Sequence, residues 1–368
     1  MAEIRILLVS PSLDERGAER IVVEIARHAR ERGHPVTVAA PPGSLDVELE
    51  DLGISRRALA ERRRSVAGVA LASVAVARAL RDVRPTLIHA HNPRMTFVSH
   101  AAQRLSLWRR ARLVATFHGG DRREDQRAAR LLRLADHVVC VEDELQERML
   151  GAGVPHHMMT VIPNGTPPAV LLSHGERRQL REQLGLIGPV VTVVGGLVAS
   201  KAVDRFIRAA AHVAEERPDA VFLVVGDGPL RGDLERLAAS LGLSDRVTFA
   251  GHRRDARALI AQSAVVVSTS RSEGLSLVAL EALAAGVPLV ATDVGGMRGL
   301  LSSGAGVLLT DTTPSAVAAA VAGVLGSSTW ARSMGEIGRT VAARHDLGSM
   351  LRSYDSLYEA LIGGRDEW

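Results

Sequence analysis

The chain has a single cysteine, Cys140, so no intrachain disulfide can brace it and its thiol content is compatible with the cytosol. Aromatic residues are almost as scarce, with five Phe, three Trp and two Tyr making 3% of 368 residues. Its cores must therefore be aliphatic, and stacking platforms for single-stranded nucleic acid are excluded. Long apolar runs are missing too. The longest, Val66 to Ala77, falls short of the ~18–20 residues that span a bilayer, so the protein is expected to be soluble and cytoplasmic, or at most to lie on a membrane surface. Lysine is reduced to Lys201 among 45 basic residues. The rest are arginines that stay charged to very high pH, so a high isoelectric point accompanies a formal charge of only +4, and no nucleic-acid partner is implied. The opening residues carry Glu3 and Arg5 inside their apolar stretch and read as a first strand rather than a signal peptide.

What is present is an ordinary globular mixture, 46% hydrophobic and 23% charged, in a chain too long for one core. Short aliphatic runs alternate with helix-period segments, the pattern of a parallel sheet covered by helices. Strands are predicted at Ile4–Val9, Val36–Ala40, Thr86–His89, Arg112–Thr116, His137–Val141 and Met159–Ile162, then at Val190–Val194, Ala220–Val225, Val247–Ala250, Val265–Ser268, Leu289–Ala291 and Gly306–Leu309. The turn formers and helix breakers from Pro163 to Pro168 separate the two series. Helical periodicity then runs from Pro314 to Ile362. The expectation is an α/β protein of two Rossmann-like domains, residues 1–165 and 166–345, with C-terminal helices, residues 346–368 among them, returning to the first.

In open α/β sheets ligands bind beyond the carboxyl ends of the strands, where helix N-termini attract anions. Glycine-bearing turns stand at such places: Gly17-Ala18-Glu19, His118-Gly119-Gly120, Gly195-Gly196, Gly226-Asp227-Gly228 and Gly295-Gly296. The Gly226 turn is not a dinucleotide fingerprint, because its third glycine comes one place late and Arg231 stands where a small residue is needed. Glu273 and Glu281 flank a helix start near Ser276, so two carboxylates can reach different parts of one elongated ligand, with unpaired N–H groups between them. His89, His91 and His118 are numerous enough for a zinc site, but hydrogen bonding that orders the rim is the simpler reading of His89 and His91, and a functional role that of His118, around which Gly119 and Gly120 open space. Glu142-Asp143-Glu144 reads as a favourable first helical turn rather than a metal-binding element, so no metal is expected.

The Glu273-x7-Glu281 element, the stretch from Ala282 to Thr292, the Gly196-to-Lys201 turn, Val225 to Pro229 and Val161-Ile162-Pro163-Asn164-Gly165 resemble the retaining, nucleotide-sugar-dependent glycosyltransferases of family 4, or group 1, which have the GT-B fold. In the first half Gly17-Ala18-Glu19, His89-Ala90-His91-Asn92 and Thr116-Phe117-His118-Gly119 look like that family's acceptor-domain landmarks. The resemblance implies an acceptor-binding N-terminal and a donor-binding C-terminal domain. It implies a metal-independent, hexosyltransferase-type enzyme without a cofactor, with a nucleotide diphosphate sugar such as a UDP-sugar as substrate. Glu273 then holds the donor sugar, Gly274, Leu275, Ser276 and Leu277 the sugar and phosphate, Glu281 the ribose, and Lys201 the diphosphate. Gly17 approaches that diphosphate from the other domain, and His118 stands beside the reacting centre. Arg16, His91 and Asn92 are candidates on the acceptor side.

Departures from the pattern are as informative. Gly196 replaces the arginine that partners the lysine, with Arg16, Arg20, Arg271 or Arg298 as substitutes for its charge, and Ser276 and Gly299 replace a common glycine and glutamate. These leave a GT-B epimerase or phosphorylase, or a non-catalytic sugar-nucleotide binder, as alternatives. Acceptors consistent with the resemblance are a lipid, a glycan primer or a small molecule such as an aminocyclitol. Arg56, Arg57 and Arg62 to Arg64 precede an apolar helical stretch, and Arg104, Arg109, Arg110 and Arg112 surround Trp108, a distribution compatible with a solvated face or peripheral membrane contact.

Overall fold

The computed structural model describes residues 3–14, 17–59, 65–106, 108 and 110–364. Arg16, Arg62 to Arg64 and Arg109 lie outside the described residues. The chain divides into two compact units, one made of Met1–Asn164 with Gly348–Trp368 and the other of Gly165–Leu347.

The first unit holds a parallel sheet of β1 (Ile6–Val9), β2 (Val36–Ala40), β3 (Ser55–Ala58), β4 (Leu87–His91), β5 (Arg112–Phe117), β6 (His137–Cys140) and β7 (Met159–Val161), in the order β3-β2-β1-β4-β5-β6-β7. The second holds β8 (Val190–Val194), β9 (Val221–Val225), β10 (Val247–Gly251), β11 (Val265–Ser268), β12 (Leu289–Thr292) and β13 (Gly306–Leu309), in the order β10-β9-β8-β11-β12-β13. Both are doubly wound Rossmann-like α/β units, as the strand–helix alternation predicts. In each the order reverses once, between β1 and β4 and between β8 and β11, and such a reversal opens a crevice at the carboxyl ends of the two strands.

Aliphatic strands buried on both faces explain the continuous Val/Leu/Ile runs. In the second unit they pack around Val191, Val193, Phe222, Val224 and Val265. Its one aromatic pair, Phe206 and Phe222, meets edge to face with centroids 6.2 Å apart.

One expectation is corrected. The edge strand β3 escapes the sequence reading because Ser55-Arg56-Arg57-Ala58 is mostly exposed and lacks an apolar face, yet it pairs in register with β2. Arg56 and Arg57 thus belong to a strand, and Arg56 Nε lies 3.1 Å from Asp46 Oδ1. Of the helices after β13, Leu347–Gly363 falls in the first unit and Pro314–Gly326 and Ser328–Ala342 in the second. The returning helix brings Tyr354, Asp355 and Tyr358 against the first sheet and its helices: Asp355 Oδ2 lies 2.8 Å from His28 Nε2, and Tyr354 and Tyr358 are buried.

Candidate active site

At the β8/β11 reversal two loops meet. The loop after β8 passes through Gly195 and Gly196 into a 3-10 turn, Ala199–Lys201, and then the helix Val203–Glu216. The loop after β11 carries Ser270 to Glu273 and then Gly274, Leu275 and Ser276, whose hydroxyl caps the helix Leu277–Ala285 by accepting the Ala279 N–H. Lys201 Nζ forms an ion pair with Glu273 Oε1, and Ser270 Oγ donates to the same oxygen at 2.7 Å. Backbone and side chain stitch the loops further. The Arg271 N–H and guanidinium donate to the carbonyl oxygens of Ser200 and Ala199 at 2.7 and 3.0 Å, and Thr269 Oγ1 donates to that of Ala202 at 2.9 Å. The Lys201 side chain keeps 28% exposure while that of Glu273 keeps 12%, so the ammonium remains reachable by an anion.

Glycine serves two purposes here. Gly226, after β9, has φ +133°, and a Cβ on it would stand 2.0 Å from the Gly195 carbonyl oxygen, so loop-on-loop packing explains this glycine without any ligand. Gly196 is different, because a Cβ there would meet nothing closer than the Asp227 carbonyl oxygen at 3.9 Å. A Cβ therefore meets no obstacle where the family usually has arginine. Among the substitutes for that charge, Arg20 is paired with Glu48 and Arg298 with Asp293, whereas Arg271 has no carboxylate partner among the described residues. Glu281 lies more than one turn inside the helix Leu277–Ala285, with Arg257 Nε 3.8 Å from its Oε1.

In the first unit Gly17 opens the helix Gly17–Glu31 after β1, and the neighbouring Ser12 hydroxyl donates to buried Glu19 at 2.8 Å. β4 runs two residues beyond the predicted end, so His91 is its last residue and is fully buried. His91 Nδ1 and His118 Nε2 share a hydrogen bond of 3.2 Å with the rings stacked 5.5 Å apart. The other nitrogens, His91 Nε2 and His118 Nδ1, are buried without a partner. His89 differs, with Nδ1 bonded to the Tyr358 hydroxyl at 2.6 Å and Nε2 to Thr116 Oγ1 at 2.7 Å. Both of its nitrogens are committed, which removes the three-imidazole zinc reading, and no metal-holding cluster of His, Cys, Asp or Glu occurs among the described residues. Burial lowers the pKa of His118 to about 4 and of His89 to about 3, and holds that of His91 well below 6.5. Three neutral imidazoles therefore line this edge.

Asn92 follows with φ +132°, a strained value for a residue with a side chain. Its Oδ1 accepts the Met95 N–H at 2.8 Å and thereby starts the helix Pro93–Ser106. Glu142 precedes the helix Asp143–Gly151, but its side chain makes no cap; its buried carboxylate has no hydrogen-bond partner, and burial, then Glu144, raises its pKa to about 7. Only Asp143 and Glu144 occupy the first turn.

Sequence reasoning missed Tyr354 and Tyr358, and placed Ser270 only as the start of a loop after a strand, without a role for its side chain. The tyrosines, the chain's only two, stand four residues apart on one helix face, a signal that was there to read. The arginines near Trp108 are scattered: Arg112 pairs with Asp136, and the indole donates to the Pro85 carbonyl oxygen. The helix Val66–Val83 exposes Val66, Leu71 and Val74, but no helix among the described residues is long and apolar enough to cross a membrane.

Comparison with known proteins adds the following. Residues 16–170 match the family described as Glycosyltransferase Family 4, and residues 188–327 the one described as Glycosyl transferases group 1. Alpha-D-kanosaminyltransferase of Streptomyces kanamyceticus is 35% identical over 188 residues, covering 50% of this chain and 47% of its own. The 2-deoxystreptamine glucosyltransferase of the same organism is 34% identical over 151 residues, 39% of either chain. D-inositol 3-phosphate glycosyltransferase of Nocardia farcinica is 32% identical over 249 residues, covering 63% of this chain and 55% of its own. The chain thus spans about half the length, or less, of these curated relatives. Among solved structures, HepE of Anabaena in complex with UDP-glucose superposes with a TM-score of 0.84 at 23% identity, covering 97% of this chain and 100% of that one. A glycosyltransferase of Rickettsia africae gives 0.81 at 19%, covering 98% and 99%. The shared fold is GT-B.

Proposed function

The chain belongs to the family 4, group 1 glycosyltransferases, and from that premise we propose that it moves a hexose from a nucleotide diphosphate sugar to an acceptor hydroxyl with retention at the anomeric carbon. The observation that carries this reading is the pairing of Lys201 with Glu273 at the β8/β11 reversal. A diphosphate leaving group gains charge as its bond to the sugar breaks, and a cation already in place stabilises it without reorganisation. Lys201 supplies that cation, and the first-turn N–H groups of the helix Leu277–Ala285, entered through Gly274, Leu275, Ser276 and Leu277, add a positive dipole end. No metal is needed in this scheme. Glu273, anchored through Oε1, has Oε2 for sugar hydroxyls, and Glu281 takes the ribose.

The bond from the anomeric carbon to the diphosphate oxygen breaks, the acceptor oxygen bonds the same face, and its proton passes to the departing phosphate oxygen. His118, held near pKa 4 by burial, is a poor proton acceptor and serves as a neutral hydrogen-bonding partner beside the sugar. UDP as the carrier is supported by the UDP-glucose complex of HepE, and a cyclitol-like acceptor by the names of two relatives, the 2-deoxystreptamine glucosyltransferase and the D-inositol 3-phosphate glycosyltransferase.

The test is UDP release from UDP-glucose with 2-deoxystreptamine or myo-inositol as acceptor. Release should require acceptor, which separates transfer from epimerisation and from binding alone, and Glu273→Ala should reduce turnover at least tenfold with the fold intact. Wild-type turnover in Glu273→Ala overturns the assignment.

A further inference from the structure

One strand beyond the β8/β11 reversal, the second unit has a cavity of about 340 Å³ at the carboxyl ends of β11, β12 and β13. That size lies at the lower end of the ~300–1,000 Å³ range of small-molecule sites. Its walls mix three chemistries. Arg205, in the first turn of the helix Val203–Glu216, and Arg271 supply guanidinium groups; Thr310, Thr312 and Asp293 supply oxygen atoms; Val294 supplies an apolar surface. Arg205 makes no ion pair or side-chain hydrogen bond among the described residues, and Arg271 donates to the Ala199 carbonyl oxygen rather than to an acid. The one carboxylate here, Asp293, is already held by Arg298. Two arginines therefore face the cavity without an acidic partner, beside hydroxyls and a carboxylate of the kind that bind polyols.

We propose that this cavity is a second ligand site, distinct from the donor site, for a phosphorylated monosaccharide. The guanidinium groups take the phosphate, Asp293 and the threonine hydroxyls take the ring hydroxyls, and Val294 covers the ring. Its position couples it to the donor site. Arg271 holds the turn that ends in Lys201 through Ala199 and Ser200, and Ser270, also on the cavity wall, holds Glu273. A phosphate on Arg271 competes with the Ala199 carbonyl oxygen and so acts on both members of the Lys201–Glu273 pair. This coupling, but not the site, rests on the proposed donor role of that pair.

Calorimetric titration of the full chain with glucose 1-phosphate and glucose 6-phosphate, against glucose and inorganic phosphate, tests the site. Saturable binding of at least one sugar phosphate is expected, at least tenfold tighter than glucose or inorganic phosphate and at least tenfold weaker in Arg205→Ala. Equal binding of glucose, equal binding of inorganic phosphate as an adventitious anion only, no saturation, or an unchanged affinity in Arg205→Ala each overturns it. So does one-for-one displacement by UDP-glucose, which would place the ligand in the donor site. UDP affinity should shift at least twofold at sugar-phosphate saturation, and an unshifted value overturns the coupling. A chain that binds the sugar phosphate but no UDP keeps the site and sinks the donor reading.

Discussion

At the carboxyl edge of β8 and β11 a lysine and a glutamate meet as ions, whereas at the carboxyl ends of β4 and β5, one strand beyond the first sheet's own reversal, three histidines have pKa values lowered by burial and are neutral at pH 7. The two sheets share a strand order over six strands, yet these two stretches of rim differ in their electrostatics. What differs is exposure. Lys201 and Glu273 sit on loops that have left their strands, while His89 and His91 alternate with Ala90 inside β4, where desolvation wins over ionisation. The charged rim suits a diphosphate; the neutral one suits a sugar and a hydroxyl, which a nearby imidazolium would perturb.

Acid should break this contrast most forcefully. Because burial depresses the histidine pKa values from 6.5, the unfolded chain takes up those protons first as pH falls, so the histidines' contribution to stability is full above about 6.5 and declines towards pH 3–4, opposed in part by Glu142, whose carboxyl, raised to about 7, takes up its proton first in the folded chain. The loss is about 2 kcal/mol for each such histidine by pH 5, read by urea unfolding at pH 7 and pH 5. It should fall on the first unit, followed by hydrogen exchange in β4 and β5, and equal losses in both units would erase the distinction. Next comes Lys201→Ala. A charged hydrogen bond contributes ~1.5–3 kcal/mol, so turnover should drop about 10- to 150-fold while the melting temperature barely moves. A wild-type rate would show that the cation is structural only. Tyr358→Phe should cost about 1–3 kcal/mol in unfolding free energy, since it orphans His89 Nδ1 in a dry site, with UDP affinity unchanged.

Two smaller changes sharpen the comparison on the charged side. Gly196→Arg should tighten UDP binding by up to about tenfold, measured by calorimetry, because a Cβ there meets no obstacle and the charge is the one the family usually carries at this position. Ala202→Gly should be the mildest. Ala202, just after Lys201, has φ +47°, so glycine relieves a left-handed alanine and should raise stability by less than about 1 kcal/mol, with turnover retained.

Most of the architecture was legible because buried parallel strands are aliphatic runs, and twelve of the thirteen strands were found within a few residues of their predicted bounds. β3 was not, because an exposed edge carries no apolar period. Glu273, Lys201 and Ser276 were legible from motif order and helix-start chemistry. The supports of the site were not. That Ser270 anchors Glu273 depends on a loop conformation that three residues of sequence do not reveal, that Tyr358 commits His89 depends on a neighbour hundreds of residues away, and that Glu142 lacks a partner depends on burial that composition does not encode.

The return of the helix Leu347–Gly363 to the first unit has a consequence for biosynthesis. A ribosome finishes residues 165–347, the whole of the second unit, before it reaches Tyr354 and Tyr358, which complete the hydrogen bonds of Thr116 and His89. The half of the protein begun first is therefore completed last. Until the final helix emerges, the histidine edge stands open to water and can be protonated, so nascent chains stalled before residue 354 should carry a finished second unit and an unfinished first unit.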